Sequence, residues 1–133
     1  MEECKSGSKY KFMQDKQSYK KLIVYQKSKE LVLFVYEITR EFPKTEEYVL
    51  LPQMRRAVVS IMANIVEGYA KSRKELIRFL SISIGSLTEL EVYLDLCLEL
   101  NYLKQKRYDK GYNLLIEVKK LLYGFQKSLR NGV

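Results

Sequence analysis

The sequence predicts an all-α protein, an antiparallel up-down-up-down four-helix bundle. Three observations carry that expectation. Proline occurs only at positions 43 and 52, so residues 53–133 contain none. The 19 leucines are spread along the chain rather than clustered. Four segments place apolar residues at three- and four-residue spacing, the period of a helix face. A β-sandwich or barrel needs many short strands punctuated by Gly and Pro, and six glycines and two prolines in 133 residues do not supply that punctuation. The length suits one domain, which typically runs to about 100–200 residues. The 47% apolar content is that of a chain with a core.

The elements follow in order. Residues 1–19 are polar and lack a period, which reads as a flexible basic tail ahead of a bundle domain spanning 20–131. A first helix is expected over residues 20–42, with Val24, Leu31, Val35, Ile38 and Phe42 inward and Pro43 ending it. Leu33, Tyr36 and Val32 fall off that stripe, so this helix is apolar on more than one side. Residues 43–51 form a connection. Pro52 suits the first turn of a second helix, which runs to about Tyr69 with Met54, Val58, Ile61, Ile65 and Tyr69 inward and Gly68 near its end. Ser72-Arg73-Lys74-Glu75 is a capping-box pattern. It opens a third helix to about Leu100, with Leu76, Phe79, Leu80, Ser83, Leu87, Leu90, Leu94 and Cys97 inward and Asn101 as the stop. A fourth helix is expected over residues 105–129, with Tyr108, Tyr112, Leu115, Leu122, Phe125 and Leu129 inward. Four helices with short connections are antiparallel to their neighbours.

Several chemistries are excluded or weakened. Without histidine there is no Ser-His or Cys-His pair and no imidazole base. Cys4 and Cys97 lack metal-ligand spacing, so no zinc site or other cofactor is expected. The opening Met1-Glu2-Glu3-Cys4-Lys5 has no apolar run of the secretory kind. No stretch approaches the ~18 apolar residues of a membrane span. The expected location is the cytoplasm, where two lone thiols stay reduced.

The net charge of +8 is uneven. Residues 1–21 carry +3, residues 22–100 carry −1 and residues 101–133 carry +6. A basic segment attracts polyanions, nucleic acid first. On the fourth helix Lys106, Lys110, Lys120, Lys127 and Arg130 recur at helical spacing, with Tyr123 among them, a pattern able to contact phosphates and stack a base. No RNP motif or GXXG loop implies base-specific reading. Arg55 and Arg56 begin the second helix, and Arg73 and Lys74 begin the third. Cations at a helix N-terminus oppose its dipole, so an acidic partner, a subunit contact or a phosphate must offset them. Arg55, Arg73 and Lys74 therefore join the candidate nucleic-acid-binding residues.

Two further patterns concern packing. Arg56, Ser60, Asn64, Glu67 and Lys71 form a polar stripe on the second helix. If that stripe packs, its members need partners, and Arg78 and Glu89 on the third helix are candidates for a structural polar network. Ser81, Gly85 and Thr88 share one stripe of the third helix, where two helices are expected to approach closely.

Gln53-Met54-Arg55-Arg56-Ala57-Val58-Val59-Ser60-Ile61, then Asn64-Ile65-Val66-Glu67-Gly68-Tyr69, then Lys74-Glu75-Leu76-Ile77-Arg78-Phe79-Leu80 and Gly85-Ser86-Leu87-Thr88-Glu89-Leu90-Glu91 resemble a bacterial four-helix-bundle family. It includes the proteins encoded in intervening sequences of 23S rRNA genes, once called S23 ribosomal proteins. It also includes the accessory variability determinants of diversity-generating retroelements. Leu22 to Ser28 and Glu41-Phe42-Pro43 extend the resemblance to about residues 20–130. It implies a barrel-like homopentamer without enzymatic activity. In the retroelement branch it implies binding of a reverse transcriptase and template RNA through basic surfaces. In the ribosomal branch RNA binding is presumed, and a structural or protein-interaction module without nucleic-acid contact is the alternative. Where the family often has a proline after the Val-Ser-Ile stretch, this chain has Met62, so the second helix is expected to be unkinked.

Overall fold

A computed structural model describes residues 18–132. The tail expected over residues 1–19 lies outside the described residues up to position 17. Ser18–Lys21 forms a short 3-10 turn, anchored by the Ser18 hydroxyl donating to Tyr69 Oη at 3.2 Å. Four α-helices follow: α1 (Ile23–Thr39), α2 (Leu50–Tyr69), α3 (Arg73–Glu99) and α4 (Gln105–Arg130). Among the described residues there is no strand.

α1 is shorter at both ends than its apolar period suggests. It starts after the 3-10 turn, with Leu22 extended at its N-cap. It ends at Thr39, whose hydroxyl donates to the Val35 carbonyl at 2.7 Å. Glu41 and Phe42 then fold back onto Ile38 and Thr39, which leaves Phe42 tilted against Tyr102 rather than on a continuing helix face. α2 runs unbroken through Met62. The Ser72 hydroxyl accepts from Glu75 N–H at 3.2 Å, which caps α3. Asn101 stops that helix in the left-handed region at φ 63°.

Each helix packs on its sequence neighbours, and α4 closes the bundle against α1. All eight residues expected on the inner face of α3 are buried. On α4 the buried line is Gly111, Leu115, Val118, Leu122 and Gln126. Tyr108, Phe125 and Leu129 sit at its margins, packed against the core, and Tyr112 is half-buried and stacked on Tyr108.

Of two glycine expectations, one holds and one needs correction. Gly68 lies near the end of α2, as expected, and it lets α2 and α3 touch, since a Cβ there would lie 2.6 Å from Phe79 Cβ. Gly85 does not line a packing seam within the chain, because nothing lies within 4 Å of where its Cβ would be. The α2–α3 seam is made instead by Ser83, whose hydroxyl donates to the Ile61 carbonyl at 2.8 Å, and by Ser86, which donates to Ser60 Oγ at 2.9 Å. Those serines continue the leucine line that faces α2, whereas Ser81, Gly85 and Thr88 lie outside it.

Candidate nucleic-acid interface

Antiparallel packing sorts the helix ends into two poles. At the first pole α1 and α3 begin and α2 and α4 end. Ser18 reaches Tyr69 there, and Gly132 lies near the Arg73 guanidinium, with 3.9 Å between a built Cβ and Nη1. Buried Gln126 donates to the Ile77 carbonyl at 3.0 Å and to Ser81 Oγ at 2.7 Å, which sets the last turn of α4 level with the first turns of α3.

This register brings Arg73 and Lys74 of α3 together with Lys127 and Arg130 of α4. Lys20, Lys21 and Lys71 join them at the same pole, a grouping that helix-by-helix reading does not reveal. All seven side chains are exposed. Lys74 and Lys127 make no hydrogen bond or ion pair among the described residues. Arg130 donates to Gln126 Oε1 at 3.4 Å, and Lys71 lies 5.8 Å from the centre of the Phe79 ring. Among the described residues the acids near this pole are Glu75, held by Arg78 at 2.9 Å, and Glu67, which is exposed. Lys127 and Arg130 complement the C-terminal dipole of α4, whereas Arg73 and Lys74 oppose that of α3. The pole is therefore a surface on which, among the described residues, cations outnumber acids.

The other expected nucleic-acid residues lie elsewhere. Lys106 and Lys110 are exposed near the start of α4, about 30 Å from Lys127 at 1.5 Å per residue. Their surroundings are mixed in sign. Arg107 pairs there with Glu41 at 3.3 Å, Tyr102 Oη donates to Glu46 at 2.7 Å and Tyr108 Oη donates to Asp95 at 2.6 Å. Lys120 lies in the C-terminal half of α4, beside the first turn of α1.

Arg55 is engaged within the bundle. Its Nε donates to Thr39 Oγ1 at 2.9 Å and its Nη2 to the Tyr36 carbonyl at 3.4 Å. The guanidinium also covers the Tyr36 ring at 4.4 Å. The C-terminal end of α1, where carbonyls lack helical partners, thus offsets its unfavourable place in α2.

The expected polar network forms in part. Arg56 bonds Glu89 across α2 and α3 and reaches Gln53 Oε1 at 3.0 Å. Tyr93 Oη donates to the same Glu89 carboxylate at 2.6 Å, and that bond raises the tyrosine pKa. Asn64 donates to the Ser60 carbonyl and hydroxyl at 2.8 and 3.1 Å. Arg78 and Glu67 stand outside this network: Arg78 turns to Glu75, and Glu67 points to solvent while Lys71 lies over Phe79. Among the described residues no group of acids and cysteines is placed to hold a metal ion, and no helix is long and apolar enough to cross a membrane.

An antiparallel four-helix bundle with one cationic pole is the class of protein that these observations define. The chain belongs to the 23S rRNA-intervening sequence protein family, whose description matches residues 20–124. Among solved structures it is similar to a protein of unknown function from the S23 ribosomal protein family of Bacteroides thetaiotaomicron. That likeness has a TM-score of 0.73 at 30% identity and covers 79% of this chain and 99% of that one. No curated protein matches the chain.

Proposed function

We propose that this chain is a non-enzymatic, self-associating scaffold of the cytoplasm that binds RNA through its first pole. The observation that carries the reading is the convergence of Arg73, Lys74, Lys127 and Arg130 with Lys20, Lys21 and Lys71 on one end of the bundle. Phosphates are the ligand that such a surface attracts. Each bound phosphate releases counterion, with a log–log salt slope of roughly −0.7 per contact on single strands. A homopentamer repeats the pole around a ring, so weak patches act together. In the finer form of this proposal the partner is a reverse transcriptase with its template RNA; that form is supported by the resemblance of α2 and the first half of α3 to the retroelement accessory proteins.

The test is an RNA titration at two salt concentrations. Lys74→Glu with Lys127→Glu and Arg130→Glu is expected to abolish binding while helicity and assembly persist. Lys106→Glu with Lys110→Glu is expected to weaken it little. Equal affinities for wild type and the first variant exclude the pole.

A second reading, a protein-interaction module without nucleic-acid contact, is favoured by one observation. Ile82, Val92 and Leu96 are 41%, 54% and 42% exposed on the outer side of α3. Absence of wild-type RNA binding at low salt, with assembly intact, selects that reading.

A further inference from the structure

Between the first turn of α1 and the last three turns of α4 lies a groove of about 290 Å³, lined by Leu22, Ile23, Val24, Leu121, Gly124 and Phe125, with Lys120 among them. Apart from Lys120, its walls are apolar, and Phe125 supplies an aromatic side chain. Gly124 keeps it open, with nothing within 4 Å of where its Cβ would stand. The rim is cationic. Helical rotation puts Lys120, Gly124 and Lys127 on one side of α4, and Lys20 and Lys21 immediately precede Leu22. Glu117, one turn before Lys120, is paired with Lys27 at 3.5 Å, so it does not cancel the rim.

An apolar occupant leaves these lysines unanswered, and a small inorganic anion leaves the apolar walls wet. A flat apolar body with phosphates on both sides satisfies both. We infer that the groove receives an unstacked base of single-stranded RNA, with the adjoining phosphates on Lys120 and the neighbouring lysines of the rim. Single-strand readers combine a cationic track with an aromatic face in this way, whereas duplex RNA keeps its bases stacked and offers none to the groove. This inference rests on the proposal that the first pole binds RNA and adds to it the form of the ligand.

The test compares three probes by fluorescence anisotropy on the full chain: a short oligouridine, an abasic strand of the same length and a blunt RNA duplex. Gly124→Leu fills the groove from a position with open space. It is expected to lose about tenfold in oligouridine affinity, within the range of one base–aromatic stack, and to lose nothing on the abasic strand or the duplex. Phe125→Leu keeps an apolar wall but removes the aromatic face. It is expected to lose several-fold on oligouridine alone, and it carries the test if Gly124→Leu loses helicity. Unchanged oligouridine affinity in the folded variants overturns the groove and leaves the pole standing. Equal losses on all three probes overturn it as well. Oleate binding that Gly124→Leu abolishes, with no difference among the nucleic-acid probes, assigns the groove to an acyl chain instead. A wild type that binds none of the three strands overturns both the groove and the pole.

Discussion

Gly68 and Gly124 are both helical glycines, and alanine has opposite consequences at the two. A Cβ at Gly68 would meet Phe79 Cβ at 2.6 Å, an atom close to the backbone that has no rotamer by which to move away. Gly68→Ala is expected to destabilise the fold by about 1–3 kcal/mol through overpacking. Gly124 has open space around its missing Cβ, so Gly124→Ala is expected to stabilise α4 by roughly 0.5–1 kcal/mol. Urea denaturation of both variants checks the signs. Cys97 adds a pH-dependent case. Burial pushes its thiol up to about 12. The folded state therefore favours the neutral thiol more than the unfolded chain does. Its contribution is complete below the ordinary thiol range, near pH 8.5–9, and is lost as pH rises towards 12. Tyr108, also pushed up to about 12 by donating to Asp95, acts in the same direction from about pH 10. Stability measured across that window is expected to fall with pH, and Cys97 is expected to resist thiol reagents until the protein unfolds.

At the scale of elements, the cap of α3 gives a simple expectation. Ser72→Ala removes the acceptor for Glu75 N–H, and a lost N-cap of this kind costs about 1 kcal/mol. A drop in denaturation midpoint with unchanged slope is the expected signature. The capping serine, the asparagine stop and the inner face of α3 were legible because each depends on local chemistry or on a period held over about six turns. The end of α1 was not. Its apolar spacing continues to Phe42, but the Thr39 hydroxyl, the folded-back turn and the docking of Phe42 on Tyr102 are tertiary events. Gly111 was missed for a similar reason. A Cβ there would fall 2.4 Å from Phe34 Cε2, yet nothing in the local pattern names Phe34 as the neighbour. The site was half legible: exposure of the α4 lysines follows from periodicity. Their division between two poles, and the union of one group with Arg73 and Lys74, follow only when the helices are placed side by side. Arg55 shows the converse, since the charge was conspicuous and its partner on α1 was not.

At the scale of the whole molecule, the remaining question is what covers the outer side of α3. Ile82, Gly85, Glu89, Val92 and Leu96 recur at alternating spacings of three and four, the rhythm of a seam that another helix can enter. Glu89 does not interrupt that seam with a free charge, because Arg56 and Tyr93 hold its carboxylate. Val59 on α2 and Leu33 on α1 are also exposed. Tyr36 is half-buried beneath Arg55, so it does not offer the free apolar surface that its place off the helix stripe suggested, and Met62 packs against the core. Apolar residues aligned along a helix, rather than scattered singly, mark an interaction surface. Self-association through α3 is therefore expected, in a particle several times the 15.8 kDa chain mass. Val92→Glu with Leu96→Glu places charges in the seam without touching the buried face of α3, so helicity is expected to survive while the particle falls to the monomer mass in light scattering. RNA affinity is then expected to drop as well, because one pole replaces several, although Lys74, Lys127 and Arg130 are unchanged. A double variant that keeps the assembled mass excludes this seam, and a wild type of monomer mass at micromolar concentration excludes self-association by any face.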